Sequence, residues 1–198
     1  MSSIPIEPQW IGMGAALLLL AALGFFALRA YRRRSRRRSL LSRLERVALG
    51  AAHQVLVPDG MGGFIHIDHV LLTPRGVVVF DARRVAGLIF GGDQMSEWTV
   101  MGRGYRYTFD NPQPALYDRI AAVKAIVGDV PVEGRLLFSN VGKFTKGIPK
   151  WVLMLGGVEV EFPVIDRGIH AALTDQYSDS WNRLAAQLKP SPHQFTDL

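Results

Sequence analysis

Cysteine is absent from the 198 residues. Disulfides, thiolate-held zinc and a cysteine nucleophile are therefore excluded, and the absence fits a cytoplasmic domain. Histidine is scarce, and three of the five are His53, His66 and His69. His66 and His69 fall on opposite faces of one strand and no fourth ligand is evident, so zinc is not read from them. There is no Gly-x-Ser-x-Gly elbow and no His-Glu-x-x-His. Gly91-Gly92 is followed by no Gly-Lys-Ser/Thr and reads as a tight turn. No internal repeat is present, and the one low-complexity tract is a run of arginines. Net charge is missing as well, once the N-terminus is set aside. The chain has 23 Lys and Arg against 17 Asp and Glu, and residues 1–38 hold seven of those arginines and one glutamate. Sixteen charges of each sign remain, so residues 39–198 are neutral and lack the bulk basic footprint of a nucleic-acid binder.

What is present first is a long apolar run. Ile11 to Leu28 holds neither charge nor proline. With Trp10 it makes about 19 residues, roughly 28 Å of helix, which matches a bilayer hydrocarbon core. Trp10 and Tyr31 bracket it, and Arg32-Arg33-Arg34-Ser35-Arg36-Arg37-Arg38 follows at once. Aromatic ends and a basic flank on one side predict a single-pass anchor over residues 10–31. Residues 1–9 would be an extracytoplasmic leader and the rest cytoplasmic, at a bacterial inner membrane. A cleaved signal would carry its positive charge before the apolar run, not after it. The arginines of residues 32–38 fix topology and face anionic lipid heads.

Residues 39–189 are enough for one domain with its own core. Ser39 to Ala52 has helical spacing, with Leu40, Leu41, Leu44, Val47 and Ala48 on one face and Glu45 as its one acid. His53–Val57 reads as a strand, as do Leu88–Phe90, Glu97–Val100 and Tyr105–Phe109. Asp110-Asn111-Pro112 starts a helix that runs to about Val127 with Ala115, Leu116, Ile120, Val123 and Val127 inward. Val132–Ser139 is a strand whose apolar run suits burial on both faces. Lys143–Lys150 reads as a basic loop and Trp151–Leu155 as a short strand. Val158–Val164 alternates like a strand with one wet side. Arg167–Leu173 and Ser178–Leu188 read as closing helices, and residues 190–198 as a flexible tail. The order predicts an α/β (α+β) domain with a curved, mainly antiparallel sheet and helices packed against it.

The most informative stretch is Gly63 to Gly87. Phe64–Leu72 and Val77–Arg83 are alternating runs around Thr73-Pro74-Arg75-Gly76, a hairpin turn. An even loop, with Thr73 opposite Gly76 or Leu72 opposite Val77, sets Asp68 opposite Asp81 and His66 opposite Arg83, all four on one face. Two carboxylates facing each other repel at Cβ separations of about 5 Å. A shared divalent cation reverses that, and Mg²⁺ takes one or two carboxylates plus water. The alternatives are aspartates idle at the solvent edge, or a three-residue loop that would put them on opposite faces.

Ile67-Asp68-His69-Val70, Pro74-x-Gly76-Val77-x-Val79-x-Asp81-x-Arg83, Gly87, Trp98 and Phe109-x-Asn111-Pro112 together resemble the nuclease-related (NERD) domain, grouped with the PD-(D/E)xK nucleases. The resemblance covers about Leu44 to Val127. It implies a restriction-endonuclease-like mixed sheet flanked by helices. It also implies metal acids at Asp68 and Asp81, a helix acid at Glu45, and a catalytic cation at the position of Arg83. The departures are Arg83 where the family has lysine, Ala115 where it usually has glutamine, and Asp81 where glutamate is commoner. Gln113 lies two residues out of step. Arginine does not give up its proton, so Arg83 can stabilise charge but activates water poorly. The resemblance therefore implies a membrane-anchored, catalytically impaired module that binds nucleic acid or protein. The alternative is an active Mg²⁺-dependent nuclease in which Asp68 and Asp81 hold the metal.

Overall fold

The computed structural model describes the backbone of residues 8–166 and 171–192, and the side chains of these apart from 8–19, 33–39 and 171–175. The chain divides into two units, Met1–Ser39 and Leu40–Leu198. The described part of the first, residues 8–39, belongs to α1 (Pro8–Arg46). Its described side chains, Leu20, Leu23, Phe25, Phe26, Leu28 and Tyr31 among them, are exposed. Among the described residues no helix is long and apolar enough to cross a membrane. The described side chains of the expected anchor begin at Leu20, and those of residues 10–19 lie outside the described part.

In the second unit the hairpin is the centre. β2 (Phe64–Thr73) and β3 (Gly76–Arg83) pair antiparallel, with Leu72 opposite Val77 and Thr73 opposite Gly76. The two-residue loop Pro74-Arg75 gives the even register. Gly76 sits at φ +120°, where a Cβ would run into the Pro131 carbonyl, so the close turn needs glycine. Thr73 ties the turn by donating its hydroxyl to the Gly76 carbonyl at 2.9 Å. β1 (Gly50–Pro58) pairs with β2 on the other side.

β3 is buried on both faces because it is central: the larger sheet runs β10-β1-β2-β3-β7-β9. β7 (Val132–Phe138) and β9 (Val152–Met154) extend it in parallel, and the two-residue β10 (Lys189–Pro190) caps the β1 edge. The expected mainly antiparallel sheet is thus a mixed one. A parallel step needs a long crossover, which α2 (Gln113–Val127) supplies between β3 and β7. A second sheet of order β6-β5-β4-β8 is built from β4 (Gly87–Phe90), β5 (Glu97–Gly102), β6 (Tyr105–Asp110) and β8 (Gly142–Phe144). Trp98, fully buried, packs on Phe109 and Phe144 of its own sheet and joins it to the larger one through Phe138.

The larger sheet has a core on each face. Val70, Leu72, Val77, Val79 and Leu136 meet Leu116, Val123 and Val127 of α2 and Leu184 of α4 (Ala171–Gln187). Leu71, Val78, Phe80 and Leu137 meet Leu40 and Leu44 of α1 and Val47 just beyond it, with Val158 and Phe162.

Five local expectations are corrected. The closing helices read over Arg167–Leu173 and Ser178–Leu188 are continuous as α4 from Ala171 to Gln187, and Lys143 and Phe144, read within a loop, belong to β8, paired with Leu88 and Ile89. The helix read over Ser39–Ala52 stops at Arg46, and Gly50 opens β1, because Gly50 closes against the Trp181 ring where a side chain would not fit. Val158–Glu161 is not a strand but a helical turn, α3. Val158 and Phe162, four apart, are both buried while Val160 is exposed, so the helical period wins over the alternation. Lys189 and Pro190 pair with Leu56 and Val55, so the segment read as tail begins inside the sheet. Residues 167–170 and 193–198 lie outside the described part.

Candidate functional site

The β2–β3 ladder stops at His69 opposite Phe80. One step further the same register brings Asp68 opposite Asp81, and there a carboxylate replaces a ladder bond: the Ala82 backbone N–H donates to Asp68 Oδ2 at 2.8 Å. Both aspartates are buried, at 4% and 2% exposure. Val77 and Val79 face α2 and alternate with Val78, Phe80 and Ala82, so Asp81 also faces α2. Arg119 of α2 confirms the side by placing Nη1 3.5 Å from Asp81 Oδ2.

Each carboxylate has its own escort. On Asp81 Oδ2 Arg83 donates Nη2 at 2.8 Å, two residues along the same strand and on the same face. On Asp68 Oδ1 the Gln54 amide donates at 3.3 Å, and His66 Nδ1 lies 3.8 Å away. Gln54 itself is at φ +53°, an uncommon conformation for a non-glycine residue, where the β1–β2 pairing skips from His53–His69 to Val55–Ile67. Burial, followed by the Asp81 charge, pushes the Asp68 carboxyl above the usual carboxylate range. The Ala82 N–H, His66 and Gln54 pull the other way without reversing it.

Asp68, Asp81 and Arg83 are therefore gathered. Glu45 is not. It is exposed on the last turns of α1, beside Ser42, Arg46, Ala48, Val164 and Ile165, on the sheet face opposite Asp81. Gln113, out of step with the family position, is buried elsewhere and donates to Asp93 Oδ1 at 3.0 Å. Two participants escaped the sequence reading, Arg119 and Gln54. The signal for Arg119 was available: it lies four residues after Ala115 and three after Leu116, on the margin of the inward stripe, where a charge needs a partner. Arg119 holds that place by donating to the Ala115 and His66 carbonyls at 2.7 and 2.8 Å. No sequence signal marks Gln54.

Two hard carboxylates are the right donors for Mg²⁺, yet three of their four oxygens already accept from an amide, a guanidinium or the backbone. Among the described residues no group of three or more His, Asp or Glu is placed to hold a metal ion. The expected Mg²⁺ cradle is thus filled from within, and the residues as they stand do not fit a resident metal. Arg83 Nε and Ser139 Oγ are buried and have no hydrogen-bond partner among the described residues, and their main chains are joined by the Ser139 N–H donating to the Arg83 carbonyl at 3.1 Å.

A family model described as the nuclease-related domain matches residues 35–139, which is over half of the chain. The chain belongs to the nuclease-related domain family. The match runs from α1 through Ser139 and so includes Asp68, Asp81, Arg83 and Arg119. The hairpin and the mixed sheet are consistent with the PD-(D/E)xK grouping. A curated relative, an uncharacterized protein of Bacillus anthracis, is 27% identical over 88 residues. That match covers 44% of this chain and 42% of the relative, so the chain spans less than half of that protein. No solved structure matches.

Proposed function

We propose that this nuclease-related domain is catalytically impaired and serves as a membrane-tethered module that binds nucleic acid. The observation that carries the reading is the Arg83 guanidinium on Asp81 at 2.8 Å. A metal-dependent nuclease needs that carboxylate turned to a cation and a nearby group able to take a proton from water. Here arginine occupies the oxygen, and because it stays protonated at neutral pH it cannot take a proton from water. Arg83 and Arg119 balance the charge of Asp81 without any added ion, while Asp68 is held by the Ala82 N–H and the Gln54 amide. The exposed Arg84, next to Arg83 in the chain, suits a phosphate contact. Tethering is supported by the apolar run Ile11–Leu28, the arginines after it, and the exposed apolar side chains from Leu20 to Leu28. The N-terminus would then lie outside and the domain in the cytoplasm.

The buried Asp68–Asp81 pair favours a second reading, an active Mg²⁺-dependent phosphodiesterase. In it Arg83 would leave Asp81 for the scissile phosphate. Incubation of the purified full chain with single- and double-stranded DNA and RNA, in Mg²⁺ or Mn²⁺, separates the two. The impaired module leaves all four intact. Cleavage that disappears in Asp81→Ala establishes the enzyme instead.

A further inference from the structure

β6 is the edge strand of the smaller sheet, and its sequence Tyr-Arg-Tyr-Thr-Phe-Asp places three aromatic rings on one face. Cross-strand pairing sets them beside Gly102, Val100 and Trp98. Trp98 and Val100 are fully buried, so this is the inner face of the sheet, but Tyr105 and Tyr107 remain 46% and 44% exposed at its rim. The rings form a ladder. Tyr105 and Tyr107 lie nearly parallel, 21° apart with centroids at 6.1 Å, and Phe109 follows at 6.4 Å and 39°. A strand interior normally hides rings of this size, and among the described residues these two keep nearly half of their surface exposed.

The ladder begins close to the site. Tyr105 lies across Gly102, where a Cβ would not fit, and donates its hydroxyl to the Ala86 carbonyl at 2.8 Å. Ala86 is three residues beyond Arg83, so at most about 10 Å of extended chain joins them. Around this end of the ladder Arg84 and Arg103 are exposed and make no ion pair or hydrogen bond among the described residues. The acids Glu97 and Asp110 face each other at the other end, beside Phe109. The cations thus lie at the end of the ladder where Tyr105 reaches the Ala86 carbonyl. Burial and the neighbouring Tyr105 hold the Tyr107 phenol above its ordinary range, so the ring is uncharged at neutral pH.

From this arrangement we infer that Tyr105 and Tyr107 are a stacking platform for the unpaired bases of a single-stranded nucleic acid whose phosphates run past Arg84 and Arg103 toward Arg83. Aromatic faces bind bases irrespective of sequence, and nearby cations track the backbone. The two nearly parallel rings, with centroids 6.1 Å apart, offer adjacent aromatic surface to successive bases. A duplex hides the base faces and cannot use the platform. The inference rests on the nucleic-acid reading above and narrows it to single strands.

The test is fluorescence anisotropy with the detergent-solubilised full chain and a labelled thymidine oligonucleotide, its abasic counterpart and a duplex of equal length. The arginines of residues 32–38 attract all three through phosphate, and the abasic strand measures that share. The thymidine strand is expected to bind at least about tenfold more tightly than the abasic one, and Tyr107→Ala to abolish that advantage while Tyr107→Phe keeps it. Equal affinity for thymidine and abasic strands, or a Tyr107→Ala variant that keeps the advantage, overturns the platform. So does a Tyr107→Ala effect on oligomeric mass with none on binding, which would make the ladder a contact between copies. Those results leave the impaired-module reading standing. That reading fails separately, on metal-dependent cleavage by the unaltered chain.

Discussion

At the residue scale the decisive neighbours are Asp68 and Asp81. The Pro74-Arg75 turn brought them onto one face, as the hairpin sequence implied, since an even loop leaves no other register. How their charge is balanced was not legible, because Arg119 comes from another element and Gln54 from a distortion in β1. The balance has a consequence for pH. The folded chain holds the Asp68 carboxyl above its unfolded range, so it favours the protonated form. That contribution to stability is complete below the unfolded value and is lost as pH rises through the folded one. Asp68→Asn keeps an oxygen for the Ala82 N–H and never ionises. It is expected to unfold at a temperature equal to or above that of the unaltered chain at pH 7, and the advantage should shrink as pH falls through the carboxylate range. Thermal unfolding by circular dichroism at several pH values measures this.

At the scale of elements, apolar pattern read correctly wherever one period dominated. The hairpin strands, the strand Val132–Phe138 and the helix ending at Val127 are cases. It failed where two periods coexist, as at Val158–Phe162, because Val-Glu-Val-Glu-Phe alternates and also repeats every four residues. Tertiary packing of Val158 and Phe162 against Phe80 and Leu137 decides between them, and no local rule sees that contact. The parallel joining of β3 to β7 was equally hidden, since partner strands 50 residues apart leave no mark on each other's sequence. The hairpin turn, by contrast, depends on one glycine. Gly76→Ala meets both a positive φ and the Pro131 carbonyl, and is expected to cost about 1–3 kcal/mol. Urea unfolding reads that loss directly, and an unchanged midpoint would show that the turn relaxes freely.

At the scale of the whole molecule, the net positive charge resides in residues 1–38, while the charges of residues 39–198 cancel. This division suits a chain whose attachment and recognition functions are separate. The tether predicts that the full chain, expressed in bacteria, sediments with the membrane fraction. Detergent should release it, and high salt should not, because salt screens arginine–lipid contacts but leaves an apolar span in place. Release by salt alone would reduce the attachment to surface charge.

If Arg83 and Arg119 stand on Asp81 where a divalent ion would sit, added metal finds no site beside Asp68 and Asp81. Thermal unfolding of the full chain with rising Mg²⁺ or Mn²⁺ asks this directly, since a ligand at a hundred times its dissociation constant stabilises by about 2.7 kcal/mol. The internal ion network predicts the same melting temperature at every metal concentration, in the unaltered chain and in Asp81→Asn alike. A saturable rise in the unaltered chain that Asp81→Asn removes would contradict it and restore a working metal centre.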